Sequence, residues 1–169
     1  MRVLEEPACT ATASSEGIVL IGEVIMKRQN TRLESEGAEF LVLGELLIRG
    51  IHAYKTYTNM PGYDIEATNP NTSRVVRISV KSRWTTNATG FIIKNFDCDF
   101  VVVAKLNRGI KRGPSRVRPP EFFVLPVAVV KKAPRSKGWS RITFGKIPKF
   151  RSYRDRWDLI SRSLSKTAH

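Results

Sequence analysis

Residues 61–83 read PGYDIEATNPNTSRVVRISVKSR, and in two parts of this segment apolar and polar side chains alternate. These parts, at 63–68 and 75–81, have the period of two that is typical of half-buried strands. Asn, Pro, Asn, Thr and Ser follow one another at 69–73, which favours a turn. The segment therefore predicts an antiparallel hairpin. Its expected apolar face consists of Tyr63, Ile65, Ala67, Val76, Ile78 and Val80.

The opposite face of this hairpin collects polar and charged side chains from both strands. They are Asp64, Glu66, Ser79 and Lys81, provided that Asp64 lies opposite Ser79 or Lys81. A shift of one residue would turn the apolar side chains to the wrong face, so we expect the register to hold.

An Asp and a Lys on adjacent strands suit phosphodiester hydrolysis. A carboxylate holds a hard cation such as Mg²⁺, which keeps several waters and binds through few carboxylates. The cation polarises the phosphate and helps to generate hydroxide, and a nearby Lys stabilises the developing negative charge or orients the water. From the hairpin alone, an ordinary solvated strand face is an equally good interpretation.

The composition is that of a soluble globular chain, with 41% hydrophobic and 26% charged residues among 169. All of the net charge of +14 lies in residues 91–169, because residues 1–90 hold equal numbers of basic and acidic side chains. This asymmetry favours a polyanion partner, above all nucleic acid. No apolar run is long enough to span a bilayer, so we expect no membrane association. We expect one domain at 26–169 and an N-terminal extension at 1–25.

Cysteine and histidine are scarce, and their positions show no paired metal-ligand spacing. The residues are Cys9, Cys98, His52 and His169. This pattern excludes an ordinary zinc site and argues against a disulfide framework, so a cytoplasmic setting is expected. No small-molecule cofactor is expected either.

A helix precedes the hairpin in the segment AEFLVLGELLIRG, with Ser35 as its expected N-cap and Gly50 after its end. Glu39 falls within the expected apolar face, and a buried carboxylate needs a partner, which a metal site at the hairpin would supply. The alternative is that Glu39 sits in the first turn and reaches water or caps the helix. The expected apolar face holds Phe40, Val42, Leu43, Leu46 and Leu47.

Later segments predict the rest of a sheet. FVVVAK at 100–105 is a continuous apolar run, typical of a strand buried on both faces, and EFFVLP at 121–126 predicts another strand. Weaker alternation at 52–58 and 141–145 also indicates strands.

Two further helices are expected, a short one at 127–133 and an amphipathic one at 153–164 in which Trp157 belongs to the core. Residues 107–120, NRGIKRGPSRVRPP, predict an exposed basic loop. Such a loop would follow a phosphate backbone, where Lys and Arg displace counterions, although a merely solvated basic loop is the alternative. The residues expected to contact DNA are Arg77, Arg83, Arg108, Lys111, Arg112, Arg116 and Arg118.

The order of these elements resembles that of the PD-(D/E)xK nuclease superfamily. It consists of a helix with an acid, a strand, an Asp-bearing strand, a strand ending in x-Lys and a buried strand. Its members include type II restriction enzymes, archaeal Holliday junction resolvases and some intron-encoded homing endonucleases. The resemblance covers about residues 37–126, through GAEFLVLGELLIRGI, PGYDIEA, RISVKS, DFVVVAK and EFFVLP. It implies an α/β fold with a restriction-endonuclease-like core, a central mixed β-sheet flanked by helices.

The resemblance also implies roles for individual residues. Asp64 matches the principal metal ligand, Glu39 the helix acid that assists metal binding, and Lys81 the catalytic lysine. Ser79 stands where the family usually has Asp, Glu or sometimes Gln, and a hydroxyl is a poor ligand for a divalent ion. Glu66 could supply the missing carboxylate, Glu39 could take a larger share, or the site could be weakened.

The activity that this resemblance implies is that of a Mg²⁺-dependent DNA endonuclease, with Mn²⁺ as a possible substitute. Cutting both strands with one small domain needs two active sites, so a homodimer is expected. A catalytically inactive DNA-binding subunit on the same fold is the alternative, and Ser79 favours it. An RNA-binding or ribosome-associated basic protein is a third interpretation, against which the acids of the neutral first half argue.

Overall fold

The computed structural model describes residues 31–56, 62–110 and 116–165. These residues form helices and strands in alternating groups. In chain order the elements are α1 (Thr31–Ile48), β1 (His52–Lys55), β2 (Ile65–Asn69), β3 (Arg74–Arg83), β4 (Gly90–Ile92), β5 (Phe100–Lys105), β6 (Glu121–Pro126), α2 (Val127–Lys132), β7 (Arg141–Thr143) and α3 (Asp158–Ser165).

The central sheet has five strands in the order β1-β2-β3-β5-β6. β3 and β5 are parallel, and the other neighbouring pairs are antiparallel. β4 and β7 form a separate two-stranded antiparallel ribbon. The chain therefore has the expected α/β fold with a mixed central sheet flanked by helices. No helix within the described ranges is long and apolar enough to cross a membrane.

The hairpin of β2 and β3 has the register that the alternation predicts. Ile65 lies opposite Ile78 and Glu66 lies opposite Arg77. In the turn, the backbone N–H of Asn71 donates to Oδ1 of Asn69 at 3.0 Å. β3 continues beyond the hairpin and pairs with β5, so it is antiparallel to β2 on one side and parallel to β5 on the other.

Apolar side chains fill both faces of the sheet. On one face α1 and α3 pack over residues such as Ile65, Ile78 and Val102, and on the other the β4–β7 ribbon and α2 pack over Val101 and Leu125. The expectation that Tyr63 shares the face of Ile65 is wrong, because Tyr63 packs in the second cluster. Tyr63 precedes the start of β2, so the alternation of the strand does not extend to it.

Two expectations for α1 are also wrong. The helix starts at Thr31, so Ser35 lies within it and is not its N-cap. Its buried residues are Ala38, Val42 and Leu46, whereas Phe40 and Leu47 are 48% and 51% exposed. Leucines occur nearly all round this helix, so hydrophobic periodicity alone did not identify the face that meets the sheet.

The C-terminal helix is shorter than expected. Tyr153 lies in a 3₁₀ turn at Phe150–Tyr153, and α3 begins only at Asp158. Asp155 has a φ of 51°, which interrupts a right-handed helix. Trp157 is only 3% exposed and belongs to the core, as expected.

The remaining boundaries differ by a few residues. The strand expected at 52–58 is β1, which ends at Lys55, and positions 57–61 lie outside the described residues. The strand expected at 141–145 is β7, which ends at Thr143 before a 3₁₀ turn. The extension expected at 1–25 also lies outside the described residues.

Candidate active site

Asp64 lies at the entrance of β2, directly beside the middle of β3. Its backbone N–H donates to the carbonyl of Ile78 at 2.9 Å, which places its side chain beside Ser79. Oδ2 of Asp64 accepts a 2.6 Å hydrogen bond from the backbone N–H of Val80 and a 3.3 Å bond from Ser79 Oγ. Lys81 Nζ lies 4.0 Å from the same oxygen. The hairpin thus brings together three of the four polar residues expected on its face.

The core fixes this arrangement. Ile78 and Val80 are buried under α1 and α3, so Ser79 and Lys81 must face the other way. Ser79 is only 1% exposed, whereas the side chain of Lys81 keeps 26% of its surface open to solvent. The lysine is therefore accessible to a substrate, and the serine is not.

Glu39 reaches this region from α1, and its side chain is 16% exposed. Its carboxylate lies 3.1 Å from Nζ of Lys55 on β1. Burial raises the pKa of Glu39, the hydrogen bond from Lys55 opposes the rise, and the negative charge of Asp64 adds to it. The charge of Asp64 therefore acts on Glu39. Because α1 begins at Thr31, Glu39 is not the first-turn residue of the alternative interpretation.

An open pocket of about 290 Å³ lies between α1 and β3. Its polar lining includes Glu34, Glu39, Asp64, Lys81, Ser82 and Arg83. A second pocket of about 330 Å³ lies on the other side of Asp64 and Lys81 and also contains Ser79. Asp64 and Lys81 line both pockets, so they are reachable from two directions.

The structure does not bring the three expected carboxylates together. Glu66 lies two residues beyond Asp64, between Tyr54 and Arg77 on the neighbouring strands, and lines neither of these two pockets. Within the described ranges no three His, Cys, Asp or Glu side chains are grouped closely enough to hold a metal. The two-residue step along a strand, about 7 Å, separates the two acids.

Sequence reasoning missed two charged residues of this region. Glu34 accepts a 3.2 Å hydrogen bond from Ser82 Oγ, and it was missed because the helix was expected to start later. Lys55, whose side chain is 6% exposed, forms ion pairs with Glu36 and Glu39. Burial opposes the charge of Lys55, but the hydrogen bonds that Lys55 donates to these two carboxylates outweigh burial and raise its pKa.

The alternation along β1 could have predicted that Lys55 faces α1. Ile51 and Ala53 are buried on the α1 side of the sheet, and Lys55 continues the same face. A lysine on a face that packs against a helix needs carboxylates on that helix.

The residues expected to contact DNA occupy different surroundings. The guanidinium carbon of Arg77 lies 5.3 Å from the centroid of the Tyr63 ring. Arg83 Nε donates to the carbonyl of Gly90 at 2.5 Å, so this side chain also fixes the β4–β7 ribbon. Arg116 and Arg118 are exposed.

The basic loop is placed next to the site by its backbone. Thr86 donates from its N–H to the carbonyl of Gly109 at 2.8 Å and from its hydroxyl to the carbonyl of Arg116 at 2.6 Å. Arg108 pairs with Val117 in an isolated bridge. Lys111 and Arg112 lie outside the described residues.

The chain has an α/β fold with a mixed five-stranded sheet, and Asp64 and Lys81 line an open pocket in it. Among solved structures it is similar to a bacterial homing endonuclease, I-Ssp6803I. The two share 20% sequence identity over 80% of this chain and 94% of that one, with a TM-score of 0.54. No protein-family model matches the chain, and the comparison with curated proteins gives no match.

Proposed function

We propose that the chain is a metal-dependent DNA endonuclease of the PD-(D/E)xK type that hydrolyses phosphodiester bonds in the cytoplasm. The observation that carries this proposal is the pair of Asp64 and Lys81, 4.0 Å apart at an open pocket. A fold shared with a homing endonuclease supports it.

The donor set of this pocket fits Mg²⁺ or Mn²⁺. Two coupled carboxylates, Asp64 and Glu39, are enough for a cation that keeps several waters and takes its other ligands from substrate phosphate. Both hydrogen bonds to the carboxylate of Asp64, from Val80 and from Ser79, end on Oδ2. A bound cation supplies charge neutralisation at the phosphate and hydroxide at neutral pH.

The chain's own residues orient and stabilise the reacting groups. The Val80 N–H holds the carboxylate of Asp64 in one orientation, and Ser79 Oγ supports it. Ser79 therefore acts on the position of Asp64 and not as a ligand. Lys81 donates hydrogen bonds to the attacking water or to the phosphate oxygen on which negative charge develops.

A homodimer would supply the two active sites that a double-strand cut needs. α1 supports this proposal, since Leu33, Phe40 and Leu47 are spaced by seven residues and are 62%, 48% and 51% exposed. A seven-residue apolar repeat suits the packing of two helices. In analytical sedimentation, we expect the wild type to be a dimer and Leu47→Lys to be a monomer. A monomeric wild type would contradict the proposal.

A catalytically inactive DNA-binding subunit is the second candidate, and Ser79 in place of an acid favours it. The two candidates differ in one assay. Supercoiled plasmid is incubated with the protein and Mg²⁺, Mn²⁺ or excess EDTA, and DNA binding is measured in parallel. The endonuclease gives nicked or linear DNA with metal only, whereas binding without cleavage under any metal favours the inactive subunit.

A further inference from the structure

A larger groove, of about 1010 Å³, continues from the candidate active site. Glu34, Arg83 and Ile92 line both the groove and the 290 Å³ pocket, so the two cavities share a wall. Trp139 and Arg141 also line the groove, and Arg141 pairs with Ile92 across the β4–β7 ribbon. A substrate strand that leaves the catalytic pocket would enter this groove.

The β4–β7 ribbon holds the groove at a fixed position relative to Lys81. Phe91 and Ile142 pair across the ribbon and are buried beneath it, so their neighbours Ile92 and Arg141 face outward. The hydrogen bond from Arg83 Nε to the Gly90 carbonyl attaches the ribbon to the end of β3, two residues beyond Lys81.

Two basic segments of the chain contribute described residues to the groove lining. Residues 127–151, which include the ribbon strand β7, contain eight basic and no acidic side chains. From the basic loop, Ile110 lines the groove, and Thr86 binds the backbone of this loop at Gly109 and Arg116. Such a distribution suits a polyanion that passes between the two segments.

Two tryptophans line this groove: Trp84 is partly buried against the core, whereas Trp139 is exposed. It lies just before β7 and is 75% exposed, although it is a large apolar side chain. A single exposed aromatic residue is unremarkable by itself, but an indole in a basic groove is the arrangement with which proteins bind single-stranded nucleic acid.

We infer that this groove binds an unpaired stretch of the DNA substrate, with a base stacked on Trp139 and the backbone held by Arg141 and its basic neighbours. The inference rests on the proposed function. Within a duplex both faces of each base are covered by neighbouring bases, so an indole stacks only on a base that has left the helix. The substrate is therefore DNA with a gap, flap or branch in preference to continuous duplex.

Binding of labelled DNA in excess EDTA tests this inference without cleavage. The wild type is expected to bind a duplex with a single-stranded gap of about four nucleotides more tightly than the continuous duplex. Trp139→Ala should weaken binding to the gapped DNA by about 5- to 100-fold, the range for stacking of one base, and binding to the duplex by less than about 2-fold. Trp139→Phe should retain most of the affinity.

Tyr54→Ala is the matched control, because Tyr54 is 61% exposed and does not line the groove. Its affinity for both DNAs should be that of the wild type. The inference would be overturned if the wild type bound both DNAs with equal affinity. It would also be overturned if Trp139→Ala kept its affinity for gapped DNA, or lost affinity equally for both DNAs. If single-stranded RNA competes with gapped DNA more strongly than single-stranded DNA does, DNA is not the ligand.

The inference and the proposed function can fail separately. If the protein cleaves plasmid with metal but shows no preference for gapped DNA, the proposed endonuclease activity stands and the inferred binding of an unpaired strand is wrong. If a preference for gapped DNA depends on Trp139 but no cleavage occurs, the groove is a binding site and the proposed endonuclease activity is wrong.

Discussion

Asp64 and Lys81 lie 4.0 Å apart because strict alternation of their strands directs both side chains to one face of the hairpin. The burial of Val76, Ile78 and Val80 left the polar side chains only one direction. The partner of Glu39 could not be predicted in the same way. Its contact with Lys55 joins a helix to a strand whose relative rotation is set by packing, and packing depends on the whole core.

Variants of Ser79 and Lys81 should differ sharply in activity. Ser79→Ala removes one long hydrogen bond of 3.3 Å and keeps the 2.6 Å bond from Val80 to Asp64. Because such a bond contributes about 0.5–1.5 kcal/mol, cleavage should fall by less than about 10-fold. Lys81→Met removes the charge that stabilises the transition state, and cleavage should fall by about 100-fold or more. Initial rates of plasmid nicking measure both.

The melting temperatures of these two variants should stay close to that of the wild type, which separates activity from folding. An inactive but folded Ser79→Ala protein would contradict the supporting role of Ser79.

Glu121 should make stability depend on pH. Burial works to raise its pKa, but the hydrogen bond from Asn107 and the charges of Lys105 and Arg154 outweigh burial and lower the pKa below the usual 4.5. The charged form therefore stabilises the fold above about pH 4.5, and this contribution is lost as the pH falls through the folded-state pKa.

Glu121→Gln keeps a hydrogen-bond acceptor and removes the charge. At pH 7 it should lower the free energy of unfolding by about 1 kcal/mol. The difference from the wild type should shrink below pH 4.5, and urea unfolding at several pH values measures it. A difference that stays constant over this range would show that the charge of Glu121 is not involved.

Among the elements, those with long or strictly alternating patterns were predictable. Alternation predicted β3, and continuous apolar runs predicted β5 and β6. The short segment after β6 was correctly predicted to form the helix α2. The β4–β7 ribbon was not predicted as a unit, because each of its strands has only three residues. Its pairing joins segments about fifty residues apart, and no local pattern encodes that contact.

Gly90 tests the importance of the ribbon. A Cβ at this position would lie 2.2 Å from the carbonyl oxygen of Ile142 on β7. Gly90→Ala should therefore separate the strands and lower the free energy of unfolding by about 1–3 kcal/mol, the usual cost of overpacking. Thermal or urea denaturation measures this change.

Gly145→Ala is the control, because a Cβ there meets no atom within 4 Å. Its stability should differ little from that of the wild type. If Gly90→Ala is equally harmless, the close pairing of β4 and β7 does not exist in solution.

At the scale of the whole molecule, charge and fold agree with each other. The excess of basic residues lies in the second half of the sequence, and the fold places part of that half around the groove next to the acidic pocket. The sequence predicted a polyanion partner from charge, but not the surface that would meet it. The position of that surface depends on the hydrogen bond of Thr86 to Arg116 and on the pairing of β7 with β4, which Arg83 attaches to the end of β3.

The measurement that tests the central claim most directly compares plasmid cleavage by the wild type, Asp64→Asn and Asp97→Asn in Mg²⁺. Asp97 is an exposed aspartate outside the two small pockets, so it is a matched control. The wild type and Asp97→Asn should cut the plasmid, cutting should stop with EDTA, and folded Asp64→Asn should bind DNA without cutting it. Cleavage by Asp64→Asn at the wild-type rate would contradict a catalytic site at Asp64 and Lys81.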